Sequence, residues 1–340
     1  MNKLLNLSDD EYLVSFCIPI YKYPVEKMHK CLDSILNCGL DTADYEIIII
    51  SDGNNKTFNK ELDKLLEYYK SITDVNIQIA IHMKNSGLFE ARKTGVKLSH
   101  GSYICHVDCD DDLEPGCFDD LNDFISNSKT EWDIIQYNYN MIYPKEMKNA
   151  SKSYYKFEEY IAKDNKTLLE LCIVEDGIPR YIWGKLINRK VYNRVLNNMP
   201  DTYVNFAEDF LALVFLTSNS KSYIFRKDIR MYNYYRTVDS MTSHYKNINK
   251  EKWQSLMSVA NVINITDINN FKDEKVKKEM QKIHIKYALE LYSLLRLRDQ
   301  VFESDEMKNY AIKSFTDIFG KETVNRFEKA FEESNQNKNK

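Results

Sequence analysis

Short, continuously apolar runs alternate with stretches of helical period through the first 108 residues, and few folds accept that alternation. The run "EIIII" (Glu46 to Ile50) is too uniformly apolar for a strand with one wet face, so it reads as a strand covered on both sides, and "SDG" then turns the chain out. Before it, "YLVSFCIPIY" (Tyr12 to Tyr21) reads as a strand whose pairing should end at Pro19. Between the two, Val25, Met28, Leu32, Ile35 and Leu36 fall at helical spacing. A helix around Leu62 to Tyr69, a strand "IQIAIH", a helix "GLFEARKTGVKLS" and a strand "GSYICHVD" follow. This βαβα succession predicts an α/β fold with a mostly parallel sheet and helices on both faces. Ligands of such sheets bind outside the carboxyl ends of the strands. Tyr21, Asp52, Asn85 and Asp108 each stand at or just past one of the four strand ends, which predicts their convergence on one cleft.

The last of those strands runs into "ICHVDCDDDLEPG", four aspartates within five residues. If the strand continues, Asp108 and Asp110 share a face and Cys109 points the other way. Hard cations such as Mg2+ or Mn2+ take carboxylate oxygens together with substrate phosphates, so the pair is a candidate metal site. Asp111 and Asp112 would support it, or favour the start of a helix after Pro115. A calcium EF-hand loop is disfavoured because the sixth position from Asp108 is Leu113 and a strand, not a helix, precedes. A purely structural acidic turn remains open at this point.

From Trp132 the pattern changes to an aromatic strand, "WDIIQYNYNMIY", and beyond Lys246 the chain reads as helices alone. Val276, Met280, Ile283, Tyr287, Leu291 and Leu294 form one stripe. Met307, Tyr310, Phe315, Ile318 and Phe319 form another, ended by Gly320 as a C-cap. Such stripes pack on the body of the protein or on a second copy of it. The expected organisation is a catalytic α/β region 1–240, in two halves that meet at about 115. A helical region 241–333 and a frayed tail 334–340 follow. At 340 residues with a net charge of −4, the chain has no nucleic-acid footprint. None of its seven cysteines forms a CxxC pair, which fits reduced thiols packed as small hydrophobes in the cytoplasm. No stretch reads as a signal peptide or approaches the ~20 apolar residues of a membrane span. Peripheral contact with the inner face of the cell membrane stays open. No pair of the six histidines has zinc-protease spacing, and His106 reads as structural.

Taken in order, six segments resemble family-2 glycosyltransferases of the GT-A fold. They are "SFCIPIYK", "EIIIISDGNNKT", "NSGLFEARKTGVKLSHGSYICHVDCDDDLEPG", "WGKLINRKVY", "FAEDFLALVFL" and "YNYYRTVDSMTS", spanning about Leu13 to Ser240. The resemblance implies a Rossmann-like sheet and transfer of a sugar from a nucleotide donor, most simply a UDP-sugar. It implies that Pro19 and Tyr21 shape the nucleotide end and that Asp52 meets the base. Asn85 and Arg92 would contact base, ribose or phosphates, Asp108 and Asp110 the ribose and a Mn2+ or Mg2+ ion. It also implies a base for the acceptor hydroxyl, Asp209 with Glu208 as runner-up, and a loop carrying Arg236 and Ser240 over the diphosphate. Two departures stand out. Ser51 replaces the first of the family's paired aspartates, and Lys93 stands where an asparagine is frequent.

The expected activity is a metal-dependent inverting transfer to a glycan, lipid-linked or protein-linked acceptor, in the making of a bacterial surface polysaccharide. A non-catalytic sugar-nucleotide-binding subunit is the rival reading. Another metal-assisted transferase, such as a phosphotransferase, is a third, although the P-loop pattern is missing. Trp183 reads equally as a sugar-stacking ring or a core anchor.

Overall fold

The computed structural model describes residues 12–143, 158–163, 167–205, 208–236, 248–250, 252–254, 256–258, 274–296 and 301–338, and every structural statement concerns these. Strands β1 (Tyr12–Ile20), β2 (Tyr45–Asp52), β3 (Asn76–His82) and β4 (Gly101–His106) lie in the order β3-β2-β1-β4, all parallel. The crossovers are helices α1 (Met28–Leu36), α2 (Lys56–Ile72) and α3 (Leu88–Leu98). Every residue of β2 is buried, as its unbroken apolar run requires. Burying each such isoleucine is worth about 1.5–3 kcal/mol, which makes this strand the spine of the core.

Pro19 does not end the pairing of β1. The ladder to β4 stops at Cys17 opposite His106, while the ladder to β2 continues to Ile20 opposite Ser51. A residue without an N–H is tolerated there because β4 has already ended.

Beyond β4 the sheet becomes mixed. The elements are β5 (Asp112–Leu113), α4 (Leu121–Asn127), β6 (Ile134–Ile142), β7 (Glu159–Ile161), α5 (Leu169–Ile173), β8 (Lys185–Asn188), α6 (Arg189–Val195), α7 (Glu208–Ser218) and β9 (Ser222–Tyr235). Strand β8 pairs antiparallel with β4 and β6, β9 runs parallel to β6, and β5 and β7 add antiparallel to β9. The nine described strands thus form one sheet, parallel in its first half and mixed in its second.

Met1–Thr202 and Glu208–Thr237 make one compact unit, and Tyr203–Ala207 with Val238–Lys340 make the other. A short piece just ahead of Glu208 therefore goes with the helices. The second unit contains the helices Glu274–Arg296, Asp305–Phe319 and Lys321–Lys338. Its core gathers Trp253, Leu291, Tyr292, Leu295, Met307 and Phe315, so residues of both stripes meet within the unit itself. The last helix continues to Lys338, through most of the stretch expected to fray. Adding a turn to an existing helix needs no new nucleus, which lets the polar sequence "SNQNK" follow.

Candidate active site

The strand ends deliver their polar residues to one side of the sheet. At the end of β2, Gly53 has φ +74°, and a Cβ there would lie 2.0 Å from the Asn85 amide nitrogen. Only glycine permits this approach of two backbones. Asp52 fixes the same turn. Its Oδ1 accepts from the Ser86 amide (2.8 Å) and pairs with His82 Nδ1 (2.7 Å), and its Oδ2 accepts from the Gly87 amide (2.9 Å). His82 Nε2 in turn pairs with Thr94 Oγ1 of α3 at 2.9 Å. Asn85 precedes α3 rather than lying on it, and its Nδ2 is buried with no partner among the described residues. A buried donor left unpaired is costly, and a ligand carbonyl would satisfy it.

Ser51, in place of the family's first aspartate, is absorbed in a neutral network. Its hydroxyl donates to Asn59 Oδ1 (2.7 Å) and accepts from Asn54 Nδ2 (2.9 Å). Asn54 also donates to the Ile20 carbonyl and accepts from the Lys22 amide, tying the end of β1 to the β2 exit. Lys22 has φ +54°, and its ammonium lies 4.8 Å from the ring centroid of the partly exposed Tyr21. Pro19 is buried beneath this turn-out of the chain.

The four aspartates divide by partner. Strand β4 ends at His106, and the chain turns, with the Asp111 amide donating to the Asp108 carbonyl (3.1 Å). Simple strand alternation therefore does not extend to Asp110. Asp111 Oδ1 accepts from the Tyr235 amide (2.8 Å). Asp112 accepts from Asn233 Nδ2 (2.7 Å) and pairs with Lys30 (2.5 Å). These two carboxylates bind the loop to β9 and α1. Asp110 is exposed and Asp108 partly so. Desolvation within the crowded loop, and then the charge of Asp108, push Asp110 up to about 6. The same effects, with Asp110 added, push Asp111 up to about 8. Crowded hard oxygens held against their own repulsion fit a divalent cation. Among the described residues, no three metal-ligating side chains cluster, so a cation here would need oxygens from its substrate or from water.

Arg92 crosses the site. The guanidinium is buried and donates from Nη2 to Asp108 (2.9 Å) and from Nη1 to Glu208 (2.7 Å) and Asp209 (2.5 Å). The guanidinium thus bridges carboxylates, and its Nε has no partner among the described residues. Burial raises Glu208 and Asp209, and Arg92 opposes both shifts. Glu208 is buried, whereas Asp209 is partly open. Lys185 of β8, entirely buried, donates to the Tyr181 carbonyl, and burial lowers it to about 7. Arg236 follows β9 and is partly exposed, its amide bonded to the Ile142 carbonyl (2.9 Å). Ser240 lies outside the described residues.

Trp183 is 7 % exposed, and three tyrosine rings lie nearly parallel to it: Tyr181 at 3.7 Å, Tyr232 at 4.8 Å and Tyr234 at 5.1 Å. It is the anchor of an aromatic stack. His106, also buried, pairs through Nε2 with Tyr192 and is held neutral by burial and by Arg92. Three contributors were not read as site residues in the sequence. His82 ends β3 as the other site residues end their strands, and that rule could have found it. Lys93 binds Glu90 (2.9 Å), the Pro200 carbonyl (3.0 Å) and Asp201 (2.7 Å), all distant or unremarkable in sequence. Lys185 gave no signal beyond its motif.

A family model described as Glycosyl transferase family 2 matches residues 15–196, just over half of the chain. The chain is 28% identical over 246 residues to the poly(ribitol-phosphate) beta-N-acetylglucosaminyltransferase TarP of Staphylococcus aureus, covering 70% of this chain and 67% of TarP. It is 29% identical over 198 residues to an uncharacterized glycosyltransferase, EpsJ, of Bacillus subtilis, covering 58% of this chain and 54% of EpsJ. The crystal structure of S. aureus TarS 1–349 with UDP-GlcNAc superposes with a TM-score of 0.61 over 92% of this chain and 81% of that one, at 16% identity. That likeness is one of fold.

Proposed function

Because the chain belongs to glycosyl transferase family 2 and has its GT-A fold, we propose that it catalyses metal-dependent, inverting transfer from a UDP-sugar to a hydroxyl of a surface glycan. UDP-N-acetylhexosamine is the first donor to try, given the names of TarP and of the TarS complex. One observation carries the reading. The span of a single guanidinium, Arg92, holds the aspartate proposed to face the cation and the aspartate proposed as base.

In this reading Asp52 and Gly53 shape the turn that presents Asn85, whose unpaired Nδ2 donates to a carbonyl of the base. Tyr21 packs on the nucleoside. Asp108 and Asp110 would hold Mn2+ or Mg2+, which when bound neutralises the charge that grows on the diphosphate. Arg236 would contact the same diphosphate. Arg92 opposes the burial that raises Asp209 and aims its carboxylate, which would take the acceptor proton. Glu208, buried behind it, serves the alignment. A cytoplasmic location goes with this reading, since all seven cysteines are free thiols. No helix among the described residues is long and apolar enough to cross a membrane.

The test is UDP release from a panel of UDP-sugars with Mn2+, with Mg2+ and with chelator. Metal-dependent release from one or two donors is the expected result. Tight UDP binding without release from any donor, even with a glycan acceptor mixture present, would favour a silent binder.

A further inference from the structure

We propose that the helical unit carries a ligand site of its own, a cavity that takes an uncharged sugar ring. A glycan as the source of that sugar rests on the glycosyltransferase reading above; the cavity and its chemistry do not.

The cavity has a volume of about 340 Å3, and the described residues that line it all belong to the helical unit. Packed interiors leave few voids larger than a water molecule, whereas sites for small ligands begin at roughly 300 Å3. A space of this size is that of a ligand site. Trp253 and Met257 are buried beneath it. Tyr203, Gln254, Ser258 and Tyr310 stand partly exposed around it. The polar atoms of the floor are already spent. Trp253 Nε1 donates to Ser314 Oγ (2.7 Å), and that hydroxyl donates to the Ala311 carbonyl (3.0 Å). At the rim, Gln254 Nε2 donates to the Tyr310 hydroxyl at 3.1 Å. A phenol that accepts one bond still has its proton to give, and an amide that donates still has its carbonyl to accept.

The class of ligand follows from this lining. None of the described lining residues carries a charge. Lys250, whose ammonium lies 5.2 Å from the centroid of the Tyr310 ring, is exposed and stands outside the lining. A phosphate or carboxylate taken out of water there would lack a paired cation. An acyl chain would leave the Gln254 amide, the Tyr310 phenol and the Ser258 hydroxyl facing hydrocarbon, which is costly in the other direction. A pyranose has hydroxyls for those groups and C–H faces for the flat sides of tyrosine rings. Tyr203 comes from the short piece of chain just ahead of Glu208, so a few residues join one wall of the cavity to α7.

Saturation-transfer NMR on the full chain tests this. The probes are methyl glycosides of glucose, galactose, mannose and N-acetylglucosamine, their disaccharides, glucose 6-phosphate and hexanol. The expected result is binding of at least one neutral sugar, tighter than glucose 6-phosphate or hexanol. That affinity should fall about tenfold or more in Ser258→Trp, which fills the cavity, and in Tyr310→Leu. It should survive in Asp209→Asn, and UDP affinity should survive in both cavity variants. No neutral sugar bound, a charged or alkyl probe bound more tightly, or affinity unchanged in both cavity variants would overturn the proposal, as would its loss in Asp209→Asn instead. If Tyr310→Leu does not fold, Ser258→Trp decides. A disaccharide bound as well as its monosaccharide assigns the site to a glycan chain, and one bound far more weakly assigns it to a free sugar; an uncharged sugar site stands in both cases. Sugar binding without UDP release from any donor would sink the transferase reading alone, and UDP release without sugar binding would sink this one alone.

Discussion

A guanidinium offers planar, preorganised donors, and Arg92 uses two of its nitrogens on three carboxylates, one from the turn after β4 and two from α7. The positive charge opposes the burial that raises Asp209. Replacing Asp209 by Asn keeps the shape and removes the base, so single-turnover transfer should fall by about 10²–10⁴ while UDP affinity is retained. A Glu208→Gln variant with the larger loss would reverse the assignment. Lys185 yields a test of a different kind. Its ordinary value is 10.5 and its folded value about 7, so between those limits the unfolded chain binds more protons than the folded one. Stability from this group therefore rises as pH climbs from 7 toward 10.5. Denaturation of wild type and Lys185→Met at pH 7, 8.5 and 10 should show a difference that shifts toward the wild type by on the order of 3 kcal/mol. A difference that stays flat with pH would mean Lys185 is not the titrating group.

Helix α3 works through two adjacent residues. Arg92 reaches the first turn of α7, and Lys93 anchors the segment 200–202, where Glu90 also accepts from the Thr202 amide at 3.0 Å. One helix thus holds the base and the chain that leads toward it. Lys93→Asn, which restores the residue frequent in the family, should lower turnover ten- to hundredfold (an order-of-magnitude expectation from misplaced catalytic groups) with UDP affinity unchanged. Equal turnover in the two proteins would make Lys93 a stabilising residue only. The alternation of strands and helices was legible in the sequence because the parallel strands are buried on both faces and leave unbroken apolar runs. The bonding of Asp111 and Asp112 was not, because their partners, Tyr235 and Asn233, come from a strand more than a hundred residues later. Arg92 was legible as a site residue but not as a bridge, for the same reason.

The whole molecule has two compact units with separate cores, one built on the sheet and one on helices. Trp253 is fully buried in the second and donates from Nε1 to Ser314 at 2.7 Å. Trp253→Ala should cost that core about 3–5 kcal/mol, seen as an earlier calorimetric transition, while UDP binding by the sheet unit persists. A single transition carrying UDP binding away with it would mean that the two units fold as one. The proposed arrangement, aspartates that would face a cation and a separate base, predicts a single displacement at the sugar carbon, with inversion. The most direct measurement is the anomer of the free sugar that the enzyme releases when it hydrolyses an α-linked UDP-sugar, read by proton NMR before mutarotation. Inversion through water activated by Asp209 predicts the β-anomer first; the α-anomer appearing first would contradict the account.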